Sequence, residues 1–330
     1  MFKRKIDFLS IGDITTDAFI RLQEAEIHCR LNHEDCEMCM KYGDKIPFEY
    51  VKVIKAVGNA SNAAVCASRL GLKSAIITDI GDDGSGRECL RELEANDVLT
   101  SYVHKHKGKA TNYHFVLWYG DDRTILVNHI PYDYVLPSFP EPTWLYITSL
   151  GSSLNDYYFK IEKYIEEHKE VKVCFQPGTF QIKMAEHMSK ILNRSEVFIA
   201  NLEEYQRFLN NTSRDPKELL KGIVNLGPKI AILTDGIKGS YMYEDGHYYH
   251  MPIYEDPRKP IERTGCGDAY SATFISALIL GKTPLEALMW APINPMSVAQ
   301  YIGSQQGLLR KEEIEWWLKR ASEKYRPSEI

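Results

Sequence analysis

The sequence predicts an α/β fold, a mostly parallel sheet covered on both faces by helices with a small β-lid beside it. Three observations carry this: short apolar runs rich in β-formers, longer stretches with helical spacing between them, and two regions that break the alternation. Strands are expected at residues 6–11, 74–80, 144–148, 171–175, 197–200 and 229–233. Helices are expected at 61–70, closed by Gly71, and at 86–95, 156–168 and 216–224. Such alternation buries each strand on both sides, so the strands read as continuous apolar runs.

The first irregular region, about 18–55, is polar and carries cysteines; the second, about 108–130, alternates apolar and polar residues around Gly120-Asp121-Asp122, a hairpin signal. Both are expected to form the lid. After Gly267 the chain reads as helix at 269–280, 285–302 and 311–325, with Pro292 and Pro295 interrupting the second stretch. Without internal repeat, low-complexity tract or Gly/Ser linker, residues 1–330 read as one domain with the lid inserted.

Composition narrows the function. The chain has 330 residues, 44% hydrophobic and 26% charged, with a net charge of -5. That is ordinary globular chemistry, and it provides no basic field to attract nucleic acid or an anionic membrane. A phosphate-bearing ligand must rely on local amides, a metal ion or a few placed cations. The basic start at Lys3, Arg4 and Lys5 is followed too soon by Asp7 and Asp13 for a signal-peptide core, and no window reaches the roughly 20 apolar residues of a membrane span. Seven mostly scattered cysteines suit a reducing cytoplasm.

The chemistry concentrates at Arg263-Thr264-Gly265-Cys266-Gly267-Asp268-Ala269-Tyr270. Two glycines around one small residue free successive backbone N–H groups at a helix N-terminus, where the dipole favours an anion. Asp268 next to that pocket can accept the proton of an attacking hydroxyl; the plain alternative is a helix start with an acidic first turn. Familiar phosphate motifs are absent: Gly281-Lys282-Thr283 has Ser276 where a P-loop needs glycine, and Gly84-Ser85-Gly86 runs on to Cys89 where a dinucleotide fingerprint needs a small residue.

Several segments in order resemble the ribokinase-like (PfkB) carbohydrate kinase family along nearly the whole chain. Gly265-Cys266-Gly267-Asp268 looks like its C-terminal signature, and Gly58-Asn59-Ala60-Ser61-Asn62-Ala63-Ala64 like its glycine-rich N-terminal one. Arg69-Leu70-Gly71 and Ile80-Gly81-Asp82-Asp83-Gly84-Ser85-Gly86 follow as in the family. Asn201-Leu202-Glu203-Glu204 resembles its N-x-x-E element and Thr234-Asp235-Gly236-Ile237-Lys238-Gly239 its nucleotide loop.

The resemblance implies a three-layer sandwich with a lid and an ATP-dependent kinase moving the γ-phosphoryl group onto a sugar hydroxyl. Alternatives are a nucleoside kinase, with Tyr113, Phe115, Trp118 and Tyr119 stacking on a base, and a non-catalytic sensor of sugar or nucleotide. Asp268 is the implied base and the amides of Gly265, Cys266 and Gly267 the anion hole. Asp13, Asp17, Gly58, Asn59, Asn62 and the lid's Arg123 are implied around the acceptor. Asp17 would stand at the C-terminal end of the first strand. Asn201, Thr234, Gly236, Lys238, Gly239, Thr264 and Asn294 are implied around the nucleotide, and Glu204 around water-bound Mg²⁺. A monovalent cation such as K⁺ is a further candidate cofactor. The chain departs from the family pattern at Val57, Glu262, Arg263 and Cys266, and Pro292 and Pro295 fall beside the adenine position.

His28, Cys29, His33, Cys36 and Cys39 offer soft ligands for one tetrahedral zinc in the lid, against the plainer reading of free thiols. An exposed lid sheet suggests a homodimer through strand edges.

Overall fold

The computed structural model describes residues 5–29, 36–120, 122–151 and 155–330. A ten-stranded sheet forms the body. Its parallel part runs, in spatial order, β7 (Leu99–His106), β6 (Ser74–Gly81), β1 (Phe8–Ile11), β10 (Trp144–Ile147), β11 (Lys172–Phe175), β12 (Ser195–Asn201) and β13 (Ile230–Thr234). Antiparallel β14 (Ser240–Glu244), β15 (His247–Met251) and β16 (Ser328–Glu329) extend it past β13.

Alternate residues of each strand face opposite layers. Phe8, Trp144 and Tyr146 enter one core, with helices α1 (Asn59–Arg69), α2 (Gly84–Ala95), α8 (Cys266–Ile279), α9 (Pro284–Trp290), α10 (Ile293–Val298) and α11 (Lys311–Leu318). Leu9, Leu145 and Ile147 enter the other, with α3 (Asn155–Glu167), α4 (Thr179–Lys183), α5 (Ser189–Arg194), α6 (Leu202–Leu209) and α7 (Pro216–Val224). The three-layer arrangement expected from the strand and helix rhythm is therefore present, and Pro292 sits at the break between α9 and α10. The edge strand β7 and the short helices α4 and α5 were not foreseen.

The second sheet has the order β5 (Phe48–Val57), β2 (Thr15–Leu22), β8 (Tyr113–Tyr119), β9 (Asp122–Leu126). The hairpin centred on Gly120 thus joins β8 to β9, while Asp121 lies outside the described residues. Cross-strand register sorts the residues by face. Asp17, Phe19, His114 and Val116 share one, and Ala18, Ile20, Val51, Val53, Phe115 and Leu126 the other. A separate ribbon pairs β3 (Glu26–His28) with β4 (Glu37–Cys39).

From β1 the chain moves outward through β6 and β7, then returns to β10 on the opposite side of β1. Crossovers diverge at that point and open a crevice beyond the C-terminal ends of β1 and β10, where ligands of open α/β sheets bind. Among the described residues, no helix is long and apolar enough to cross a membrane.

Candidate active site

Gly12 and Asp13 leave β1 at this crevice, and the Asp13 amide donates to Ser149 O (2.8 Å) just past β10. The Asp13 carboxylate is buried and accepts the Tyr134 hydroxyl at 2.6 Å. Burial pushes its pKa up to about 7 against that hydrogen bond, and the nearby Asp79 carboxylate adds to the rise. Asp17 is not at the end of the first strand as expected. The chain leaves the body sheet after Ile11 and starts β2 at Thr15, so Asp17 lies on the lid, opposite His114. His114 Nδ1 is 3.5 Å from Asp17 Oδ1, and His129 Nδ1 is 3.8 Å from Asp13 Oδ2.

Gly58 caps α1 at φ 105°, a backbone that favours glycine, and a Cβ there would lie 2.9 Å from Asp13 O. That approach sets Asn59 into the wall of a cleft shared with Gln176, Asn201, Glu204, Gly265 and Asp268.

Gly265, at φ 80°, starts α8, where a Cβ would overlap Ser304. Asp268 follows in the first turn, with 8% of its surface exposed. Both carboxylate oxygens are held: Asn62 Nδ2 donates to Oδ2 (2.7 Å) and Gln176 Nε2 to Oδ1 (3.1 Å). Each amide is oriented in turn. The Asn62 oxygen accepts from Ser304 Oγ (2.7 Å) and Gln305 Nε2 (3.0 Å), and the Gln176 oxygen from the Tyr146 hydroxyl. Burial raises the Asp268 pKa while the two amides lower it.

Two expectations change here, and one residue is new. Asn62 is committed to Asp268 and its supports instead of facing an acceptor. The Cys266 amide turns back onto Arg263 O (3.3 Å) and its thiol lines the adjoining pocket, leaving Gly265 and Gly267 as the signature's glycines in the cleft. Gln176, just past β11, had no sequence motif to announce it.

The adjoining pocket is lined by Thr234, Gly236, Ile237, Gly239, Pro292 and Met296, with Thr234 and Gly267 shared with the cleft. Thr264 Oγ is buried without a hydrogen-bond partner among the described residues. Two expected nucleotide contacts stand elsewhere. Lys238 is exposed and pairs with Asp235 (3.1 Å). Asn294 is fully buried, donating to Thr273 Oγ1 (2.8 Å) and accepting from the Leu309 amide (2.7 Å), so its polar atoms serve the core.

Asn201 and Glu204 form a reciprocal cap on α6, with bonds of 2.8 and 2.9 Å, while Glu204 also lines the cleft. Burial raises the Glu204 pKa, and the Asp268 charge adds to it. Two carboxylates lining one cleft fit a site that receives a divalent cation. Arg123, opposite Trp118 on β9, is close enough for its charge to act on the Cys266 thiol.

The zinc expectation is corrected as well. Cys29 and Cys36 follow the β3–β4 register to its end and are joined in a disulfide, Cys39 is a free thiol, and His33 lies outside the described residues.

A carboxylate in the first turn of a glycine-started helix lines a cleft beside an adjoining pocket, on an α/β sheet with a lid, and this arrangement is that of a small-molecule kinase of the ribokinase fold. The chain belongs to the pfkB family of carbohydrate kinases, whose profile matches residues 24–307. The Bacillus subtilis (strain 168) 5-dehydro-2-deoxygluconokinase is 25% identical over 280 residues, covering 78% of this chain and 85% of the relative. Ribokinase from the same organism is 27% identical over 270 residues, covering 78% and 86%. Among solved structures, the Methanocaldococcus jannaschii nucleoside kinase matches with a TM-score of 0.77 at 19% identity, covering 96% of this chain and 99% of that one. Arabidopsis thaliana ribokinase with ribose and ATP matches at 0.75 and 18% identity, covering 96% and 99%. These structural likenesses establish the fold.

Proposed function

We propose that this kinase transfers the γ-phosphoryl group of ATP to a sugar hydroxyl, with Asp268 as general base. One observation carries the reading: a buried carboxylate, held at both oxygens, stands in the first turn of a helix whose glycine start lines the same cleft. Asp268 takes the hydroxyl proton as the oxygen attacks the γ-phosphorus in line; the bond to the β–γ bridging oxygen breaks and ADP leaves. The α8 N-terminus with Gly265 and Gly267 stabilises the charge that spreads over the phosphoryl oxygens. A pKa raised by burial suits a base that must accept a proton near neutrality, and the Asn62 and Gln176 bonds limit the rise. Mg²⁺, held through water by Glu204, would neutralise the phosphate oxygens. The apolar pocket at Ile237, Pro292 and Met296 suits the adenine, and Thr264 offers its hydroxyl to the phosphates.

A sugar is favoured over a nucleoside because Tyr113, Phe115 and Trp118 already pack within the lid. Phe115 is on the outer lid face against Tyr113, their rings 5.2 Å apart, and the Arg21 guanidinium covers Trp118 at 4.5 Å. That outer face exposes Val51, Val53, Phe115 and Leu126, which supports a homodimer joined through the lid. The reading keeps the cytoplasmic setting expected above, against which the Cys29–Cys36 disulfide counts, and leaves a K⁺ requirement to assay with and without the ion.

Asp268→Asn tests the assignment. Turnover with a sugar panel should fall by about a hundredfold or more with ATP affinity nearly unchanged. Normal turnover in the variant would dismiss Asp268 as the base, and product from nucleosides alone would replace the sugar.

A further inference from the structure

Among the described residues, Asp13 Oδ2, Asp17 Oδ1, His114 Nε2 and His129 Nδ1 are buried beneath the lid without a hydrogen bond of good geometry, although the Gly151 amide also lies by the Asp13 carboxyl. Buried polar atoms left unsatisfied are costly and rare, so four in one place point to groups that a ligand completes. They form two couples. His114 Nδ1 approaches Asp17 Oδ1 at 3.5 Å, and His129 Nδ1 approaches Asp13 Oδ2 at 3.8 Å. The imidazole centroids are 5.3 Å apart, so the couples are neighbours.

Both couples are positioned from behind. Tyr134 holds the other oxygen of Asp13 at 2.6 Å, and Phe180 meets the His129 ring edge-on at 5.6 Å. The β2–β8 register fixes His114 opposite Asp17. Within each couple the carboxyl group and the imidazole together offer a hydroxyl one donor and one acceptor, in either order. A hydroxyl both gives and takes a hydrogen bond, which suits such a couple. Two neighbouring couples match two neighbouring hydroxyls. The phosphoryl-transfer steps assigned to Asp268 and the cleft use neither histidine.

We propose that His114 and His129 are specificity-determining residues that, with Asp17 and Asp13, read two adjacent hydroxyls of a polyhydroxylated acceptor, away from the hydroxyl that is phosphorylated. The proposal rests on the kinase reading above and adds which part of the acceptor is recognised.

The test is equilibrium binding by calorimetry, run beside turnover, using sugars and sugar acids and their single-position deoxy analogues. Wild-type protein should bind a parent polyol about tenfold or more tightly than the analogues lacking either of two adjacent hydroxyls. His114→Phe and His129→Phe should each weaken the parent by a similar factor. Each should leave the analogue lacking the matching hydroxyl within about twofold, with ATP affinity unchanged, and His→Gln at each site should restore part of the loss. The wild-type analogue series stands on its own if a Phe variant fails to fold. Folded variants that bind the parent as wild type does, equal losses on parent and analogues, or no polyol binding at all would overturn the proposal. Polyol bound with this selectivity but never phosphorylated would keep the proposal and defeat the kinase reading.

Discussion

The cleft around Asp268 and the cluster of Asp13, Asp17, His114 and His129 beneath the lid differ in one respect: the first has its hydrogen bonds complete and the second does not. Around Asp268 every side-chain oxygen and amide just described has its partner, through Asn62, Gln176, Tyr146, Ser304 and Gln305. Beneath the lid, Asp13, Asp17, His114 and His129 each keep a buried atom that no described residue satisfies with good geometry. The difference teaches a division of labour. On the proposed reading, the group that acts on any acceptor is fixed beforehand, whereas the groups that choose the acceptor are left for it to complete.

Breaking the complete side should cost most. Gly265→Ala would place a Cβ against Ser304 at φ 80°, and should lower stability by ~2–4 kcal/mol and abolish most turnover, read by thermal melting and steady-state assay. Gln176→Leu removes one support of Asp268 and leaves the Tyr146 hydroxyl without its acceptor. It should lower kcat about tenfold or more with acceptor KM changed less than about twofold, which separates a residue that orients the base from one that binds sugar.

The incomplete side should reveal itself in stability against pH. Burial raises the Asp13 pKa from 3.8 to about 7, so the folded chain keeps a proton that the unfolded chain releases, and stability falls as pH rises across that window. Asp13→Asn cannot ionise. Its melting temperature should therefore gain on wild type as pH is raised from about 4 to about 7, then stay level above. Asp79, also raised to about 7 by burial, acts on Asp13 through its charge, so the difference reads Asp13 together with its coupling to Asp79. A difference that shrinks with pH would contradict a buried, proton-holding Asp13. The smallest effect belongs to Lys238→Ala. With its ammonium exposed and paired to Asp235, loss should change KM for ATP by less than about twofold.

The same contrast explains what could be read from the sequence. Gly265, Gly267 and Asp268 are contiguous, so the anion-binding start and the carboxylate are legible in a few letters. The central strands were legible because burial on both faces leaves unbroken apolar runs. His114, His129 and Tyr134 sit on a lid strand and in the segment beyond it, and only sheet register and the return of the chain bring them to Asp17 and Asp13. Gln176 follows a strand with no pattern around it. Asp17 was set on the wrong sheet because nothing in Ile11 to Thr15 marks a change of partner strand. Asn294 reads as an available amide, and only the packing of α8 and α10 shows its atoms already taken.

The supports of Asp268 also bear on how the enzyme comes into being. The Asn62 bonds to Asp268 and Ser304 span 206 and 242 residues, and Gln176 reaches Asp268 across 92. Such distant closures are late, slow events in folding. During synthesis Asp268 is already made when its last braces, Ser304 and Gln305, are still to come, so a nascent chain holds the motif long before that motif is fully braced. On refolding, regained turnover should lag behind regained secondary structure, a delay that dates the arrival of residues 304 and 305.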